Sequence, residues 1–409
     1  MAELAPVHQQ ILRAQPMHGD EPGTVLRDVE TLLAFLGDNT PTVSAKHHLL
    51  PMGALAPRNA QMTHPMQLSL QRPQQRASAH IHALYLLLRA TGLASITGTG
   101  NKPRLALDED GLASWRHRNP TERYLTLVET WLLRAQPESI GERLGSCRAP
   151  LADWAGFCRR IPDNGLRIAG NQREEERLVY VPGHLTVALL ELFGCVTVQQ
   201  GTPEPGTGWR IIEIHRRPWG DALFHLLSEA LQRVDVLVQL DTEAGTEFGD
   251  WQVLIQPYCP AWRDNLRLSE HALQDGTSLF NVSLGRVWRR LAVQGRHDGD
   301  TLSDGMLDAF ECDDDHLDKF AYQSHFGTLI SMHHPALDEP PLTSEVRMGE
   351  VPLRLGTSMT YLYDFGGRWA CDVRLERIDP VDRTMRKARI LDSYGEAPEQ
   401  YPGADDREA

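Results

Sequence analysis

Apolar side chains recur at helical spacing from Val25 to Leu36, at positions 25, 26, 29, 32, 33, 35 and 36, which predicts an amphipathic helix. Lys46 to Met62 predicts a second helix, and Gln71 to Ala79 reads as a polar, basic connector broken by Pro73. His80 to Leu93 predicts a third helix, with Ala83, Leu84, Leu87 and Leu88 on one face and Gly92 as its stop signal. Two short strands, Ala94 to Thr97 and Arg104 to Leu107, flank the turn GTGNKP and predict a hairpin, followed by a short helix from Asp108 to Trp115. Three helices and a hairpin form one small core, and that order is the order of a winged helix.

The pattern returns. Helices are expected at Thr121 to Leu133, with Thr121 as a cap, at Leu151 to Arg159 and at Leu185 to Phe193. A hairpin of Val196 to Gln199 and Trp209 to Ile214 follows, and Pro218 to Leu227 closes as a helix. LLRATGLASITGTG at 87–100 and LLELFGCVTVQQGT at 189–202 mark an internal repeat: two leucines, a glycine, then a strand. The expected class is therefore α+β, with winged-helix-like domains at 22–118 and 119–232. The acidic stretch at 240–250 reads as a linker, and a compact domain with an antiparallel sheet is expected at 251–402.

Charge divides the two halves. Residues 44–160 carry 15 Lys and Arg against 8 Asp and Glu, a net of +7 in a chain whose total is -14, whereas residues 297–318 hold nine carboxylates and no Lys or Arg. Contact with a polyanion therefore belongs to the N-terminal half. The first repeat brings Arg72, Arg76 and Arg89 around its third helix, Lys102 and Arg104 onto its hairpin, and Arg116 and Arg118 after it, a set suited to phosphates. The second repeat has Glu191 on its third helix and Glu204 on its hairpin, so the first is the expected reader of double-stranded DNA.

Further along, Phe280, Val282 and Leu284 alternate with polar positions in 278–294, which reads as a half-buried strand. Thr301 to Phe310 has helical periodicity with Thr301 as its cap, and strands are expected at Thr360 to Tyr363 and Trp369 to Ile378 around Gly366 and Gly367. Arg289 and Arg290 lie next to each other in a strand, so one at most points inward, where a carboxylate such as Asp315 or Asp364 would be its partner.

VWRRLAV at 287–293, AFECDDDHLDKF at 309–320, YLYDFGGRWACDVRLERI at 361–378 and SYGEAPEQYP at 393–402 stand in this order over residues 278–402. Together they resemble the plasmid pRiA4b ORF-3-like family, carried on plasmids and insertion elements and often labelled resolvase-like. The resemblance implies a compact α+β domain on an antiparallel sheet, with Trp288, Arg289, Arg290, Asp315, His316, Asp364, Phe365 and Trp369 as motif residues. Two positions depart from the family pattern, Gly367 standing where an acidic residue is usual and Cys371 where a histidine is frequent.

The chemistry legible in the sequence is sparse. No nucleophile surrounded by basic residues, as a recombinase needs, can be placed. There is no Walker loop, GxGxxG or GxSxG motif, the cysteines form no CxxC pair, and Glu311 to His316 does not follow the DxDxDG loop pattern. No metal or cofactor is expected. The expected function is that of a non-enzymatic, cytoplasmic protein of a mobile element or defence locus, with no membrane contact. It binds DNA through the first winged helix, and its acidic C-terminal domain either recruits a protein partner or folds back on the basic surface as a regulator. The alternatives are a protein-interaction scaffold without nucleic-acid binding, and a metal-dependent hydrolase using the 311–316 carboxylates.

Overall fold

The computed structural model describes residues 4–44, 47–97, 103–134, 151–231, 248–268, 274–323, 329–353, 355–367, 369–398 and 400. The chain is mixed helix and sheet with antiparallel pairing, and it divides into two compact units. The first is built from residues 4–96 and 103–268, the second from residue 274 onward. Among the described residues no helix is long and apolar enough to cross a membrane.

Unit 1 opens with α1 (Pro6–Ala14) and α2 (Val25–Asn39), then α3 (Met52–Asn59), α4 (Ala79–Ala90), β1 (Ala94–Thr97), β2 (Arg104–Leu107) and α5 (Glu109–His117). The helix expected from Lys46 begins only at Met52, because Pro51 holds the extended backbone of an N-cap. One pairing escapes the sequence pattern: Thr42 makes an isolated bridge to Arg104, with Val43 N–H on Pro103 O and Leu105 N–H on Pro41 O. β2 therefore lies between the chain at 41–43 and β1.

The second half continues with α6 (Pro120–Glu129), α7 (Leu151–Arg160), β3 (Leu166–Arg167), α8 (Gln172–Tyr180), α9 (His184–Leu192), β4 (Val196–Gly201), β5 (Arg210–Arg216) and α10 (Pro218–Leu231). Its sheet order is β3-β5-β4, so the hairpin's second strand is again central and β3, between α7 and α8, flanks it. α8, which the sequence pattern does not predict, takes the second-helix place, α9 is the third, and α6 precedes the repeat. α6 is capped by Asn119, not Thr121: the Asn119 side chain accepts from Glu122 N–H at 3.0 Å while the Glu122 carboxylate accepts from Asn119 N–H at 2.8 Å.

Both third helices end on a left-handed glycine, Gly92 (φ 75°) and Gly194 (φ 70°), the matched positions of the repeat. Gly194 also lets the backbone at Pro22 and Gly23 come against it, and a Cβ there would collide with the Pro22 carbonyl.

The stretch around α11 (Gln252–Ile255) belongs to unit 1, so the domain start expected at 251 falls inside it. Hydrogen bonds from α6 explain why. Both carboxylate oxygens of Glu129 accept from Gly249 N–H at 2.9 and 3.0 Å, and Glu122 Oε1 accepts from the N–H groups of Arg263 and Asp264. The Arg134 guanidinium lies 3.8 Å over the Phe248 ring. Burial raises the Glu129 carboxyl to about 7, outweighing the Gly249 N–H that favours its ionised form.

Among the described residues unit 2 holds one seven-stranded antiparallel sheet. Its strands are β6 (Thr277–Leu284), β7 (Val287–Gln294), β8 (Asp318–Gln323), β9 (Leu329–His333), β10 (Ser358–Tyr363), β11 (Trp369–Asp379) and β12 (Arg389–Tyr394), in the order β12-β7-β6-β11-β10-β8-β9. The segment read as one strand at 278–294 is a hairpin, turned at Gly285 (φ 62°), with Leu284 opposite Val287. α12 (Gly299–Phe310) crosses one face, capped by Asp298, whose side chain accepts from Thr301 N–H and Oγ–H at 2.9 and 2.6 Å; the cap expected at Thr301 is thus three residues earlier. Under α12 the sheet presents Phe280, Val282, Leu291, Val293, Met359, Tyr361, Val373 and Leu375, all buried, which is the period-two alternation of a sheet covered on one side.

Two outcomes follow for unit 1. Gly194→Ala should lower its stability well beyond the roughly 1–2 kcal/mol of a left-handed alanine, whereas Gly206→Ala, at φ 83° with open space around it, should cost only that conformational term. Urea unfolding of both variants checks the difference. For Glu129 the folded-state value lies above the unfolded 4.5, so its contribution to stability is complete below pH 4.5 and is lost as pH rises through about 7. Glu129→Gln should remove that part of the pH slope, read from urea midpoints across the same window.

Candidate interaction surfaces

The third helix of the first repeat is the element on which DNA reading would depend. Its sequence, AHIHALYLLLRA, leaves no polar face, and all twelve residues of α4 are buried. It packs on α9, the matching helix of the second repeat, which is buried at Val187 through Leu190 and at Leu192. A polar link runs through this contact: His80 Nε2 lies 2.9 Å from Glu191 Oε2, and Glu191 Oε1 accepts from Val198 N–H at 3.3 Å. The Trp209 ring lies 5.3 Å from that of His80.

The expected phosphate-binding set separates accordingly. Arg89 is 1% exposed and its Nη1 donates to Tyr85 Oη at 3.4 Å, so it is a core residue and not a phosphate contact. Arg118 is paired with Asp264, which holds the Asp264 carboxyl below the usual carboxylate range through the hydrogen bond from Arg118. Arg72, Arg76, Arg104 and Arg116 are exposed. Lys102 lies outside the described residues. The hairpin of the second repeat is engaged within the unit: Ser69 N–H donates to Thr207 O at 3.1 Å, Gly206 N–H to Ser69 O at 2.9 Å, and Gln200 Nε2 to Pro65 O at 2.8 Å.

In unit 2 the motif residues gather at two places. At the first, Arg289 points into the covered face and is 5% exposed. Its partner is not a carboxylate, contrary to expectation. Nε donates to Ala309 O at 2.7 Å, and Nη1 donates to the carbonyls of Trp288, Tyr394 and Gly395 at 3.0–3.2 Å, with the Phe310 ring 5.0 Å away. One guanidinium thus ties the end of α12 to the end of β12, taking carbonyls that the helix terminus leaves unpaired. Arg290 lies on the opposite face, 2.8 Å from Glu376 and 3.4 Å from Asp392, beside Trp288, which stacks on Tyr394.

The second place is the β10–β11 turn. β8 pairs with β10 so that Asp318 faces Tyr363, which brings the 311–317 loop against that turn. Asp315 Oδ1 accepts from Tyr363 Oη at 3.0 Å and from Gln400 Nε2 at 3.1 Å. His316 Nε2 is 3.7 Å from Asp315 and 4.0 Å from Asp364. Asp364 has φ 48°, and its side chain accepts from Gly366 N–H at 3.0 Å. A Cβ at Gly367 would run into the Asp364 carboxylate, which is the local reason a glycine fits there. Phe365 is exposed with Lys319 5.6 Å from its ring, and Trp369 packs against the core beside Cys371. Tyr363 and Gln400, which complete this cluster, lie inside the motifs at 361–378 and 393–402 but are not among the motif residues singled out there.

Beneath α12 lies a sealed polar network. Ser303 Oγ is 2.5 Å from Asp318 Oδ2 and 2.7 Å from Tyr361 Oη, and burial raises the Asp318 carboxyl. All three residues are buried, and together they link the helix to the sheet, while Asp318 Oδ1 is buried without a hydrogen-bond partner among the described residues. The outward acidic row is different in kind: Asp304 is raised by partial burial and by Asp314, Asp300, Asp308 and Asp298 around it. Among the described residues no group of three or more His, Cys, Asp or Glu is placed to hold a metal ion.

Residues 279–404 match the family model described as plasmid pRiA4b ORF-3-like protein, the segment carrying the four motifs. Among solved structures, the chain is similar to that of a protein of unknown function, MM3350, from Methanosarcina mazei Go1. The two are 23% identical over 30% of this chain and 71% of that one, with a TM-score of 0.27. None of the curated proteins compared matches the chain.

The two neighbouring arginines should behave oppositely. Arg289→Met leaves buried carbonyls without a donor and should cost about 3 kcal/mol or more. Arg290→Met loses partly exposed ion pairs and should cost about 1 kcal/mol or less. Thermal unfolding of the two variants measures the contrast.

Proposed function

We propose that unit 1 is a fused pair of winged-helix repeats serving as a protein-binding scaffold, in a cytoplasmic protein of a mobile element or defence locus. The order helix, extended segment, helix, helix, hairpin, the extended segment pairing with the hairpin's second strand, recurs in both halves and supports the winged-helix reading. The observation that carries the scaffold reading is the burial of α4 against α9. A winged helix reads a groove with its third helix, and here both third helices are spent on each other. The apolar tip of α8 and its connector, Val179, Tyr180 and Val181 at 54%, 83% and 49% exposure, supports contact with protein rather than phosphate. The plasmid origin in the matched family's description supports the mobile-element setting.

A second reading rests on a separate observation. Arg72, Arg76, Arg104 and Arg116 are exposed on the basic half of the chain, which supports sequence-independent contact with duplex DNA through phosphates alone. Titration of the full chain with a random-sequence duplex between about 50 and 200 mM salt decides between them. The scaffold reading expects no complex at either end of the range. A complex that weakens steeply with salt and disappears when the four arginines are replaced by alanine would overturn it in favour of the second.

A further inference from the structure

β12 is an end strand of the unit 2 sheet, hydrogen-bonded along one side to β7. All six of its residues are exposed, among them Ile390 at 47%, Leu391 at 46% and Tyr394 at 62%. A bulge between Ile390 and Asp392 leaves Leu391 without a partner in β7. Edge strands of monomers are ordinarily blunted by charge, proline, bulges or cover, because an apolar edge is a template for another strand. β12 carries the bulge and two charges, Arg389 and Asp392, but no proline and no strand paired to its outer side among the described residues. The opposite end of the sheet has such cover: His333 of β9 is bridged by Leu342, with His333 N–H on Pro341 O and Thr343 N–H on His333 O, both at 2.9 Å.

We propose that β12 pairs with β12 of a second copy of this chain, antiparallel about a two-fold axis between Ile390 and Leu391. The sequence Arg389-Ile390-Leu391-Asp392 is self-complementary in that register and names the occupant. Arg389 of each copy stands opposite Asp392 of the other, and Ile390 opposite Leu391, so both charges and both apolar side chains are matched twice. Moving the axis onto Leu391 would set Arg389 against Ser393 and Asp392 against Ile390, losing both matches. Within one copy these charges make only long, partly exposed pairs, Arg389 to Asp382 at 3.5 Å and Asp392 to Arg290 at 3.4 Å. The contact is isologous and uses an edge to which no strand is paired among the described residues, so it closes at two copies. It is independent of what unit 1 binds.

Light scattering on the eluting full chain, over a concentration series, tests the pairing. The wild type should run at the dimer mass. Arg389→Asp should weaken association by about tenfold or more, and Arg389→Asp with Asp392→Arg should restore it. Leu391→Lys, at an exposed position with its fold checked by circular dichroism, should also give monomer. A monomeric wild type at every concentration overturns the proposal, as does a dimer indifferent to Leu391→Lys and Arg389→Asp. A dimer weakened by Arg389→Asp and not recovered in the double variant overturns the register.

Discussion

The burial of α4 against α9 is the constraint on which unit 1 rests. Ile81, Ala83, Leu84, Leu86, Leu87 and Leu88 are each 1% exposed or less, and burying side chains of this kind is worth roughly 1.5–3 kcal/mol apiece for the larger ones. A helix with that composition has no stable life at a surface. The His80–Glu191 pair adds direction to a contact that apolar packing alone would leave free to slide. Gly194 then admits the Pro22 backbone, and the Tyr124 hydroxyl donates to Phe193 O at 2.6 Å, so the second repeat's third helix ends in a socket made by the first repeat and α6. The two repeats form one core rather than two modules on a string.

Unit 2 solves a different problem with the same economy of means. Its sheet needs cover on one face, and α12 supplies it through Met306, Leu307 and Phe310 above Leu291 and Tyr361. The helix is fixed at both ends: Asp298 caps its start, and Arg289 collects the carbonyls at its finish. The motif residues that look most chemical therefore divide by task. Arg289 holds the fold, Arg290 balances carboxylates on the open face, and Asp315, His316 and Asp364 brace a turn.

Most helix positions and the two hairpins were legible because each rests on local periodicity and a glycine stop; α1 and α8 were not, α8 being wholly polar up to Leu178. Caps were displaced to Asn119 and Asp298, since a cap sits before the first helical turn and not at its first threonine. The chain at 41–43 and β3 were invisible: strands this short carry no alternation, and the central strand beside each defines them. The fate of α4 could have been read. LYLLL at 84–88 is apolar around the whole helix, which signals burial on all sides and outweighs the single charge of Arg89. Arg289 shows the converse. An inward arginine does not require an acid when helix and strand ends offer carbonyls.

Hydrogen exchange on the intact chain addresses the α4–α9 contact most directly. Amides of residues 79–90 and 184–192 should be among the slowest in unit 1 and should open together, with Glu191→Ala lowering protection in both helices at once. Rapid exchange along α4 while the rest of unit 1 stays protected would contradict the account.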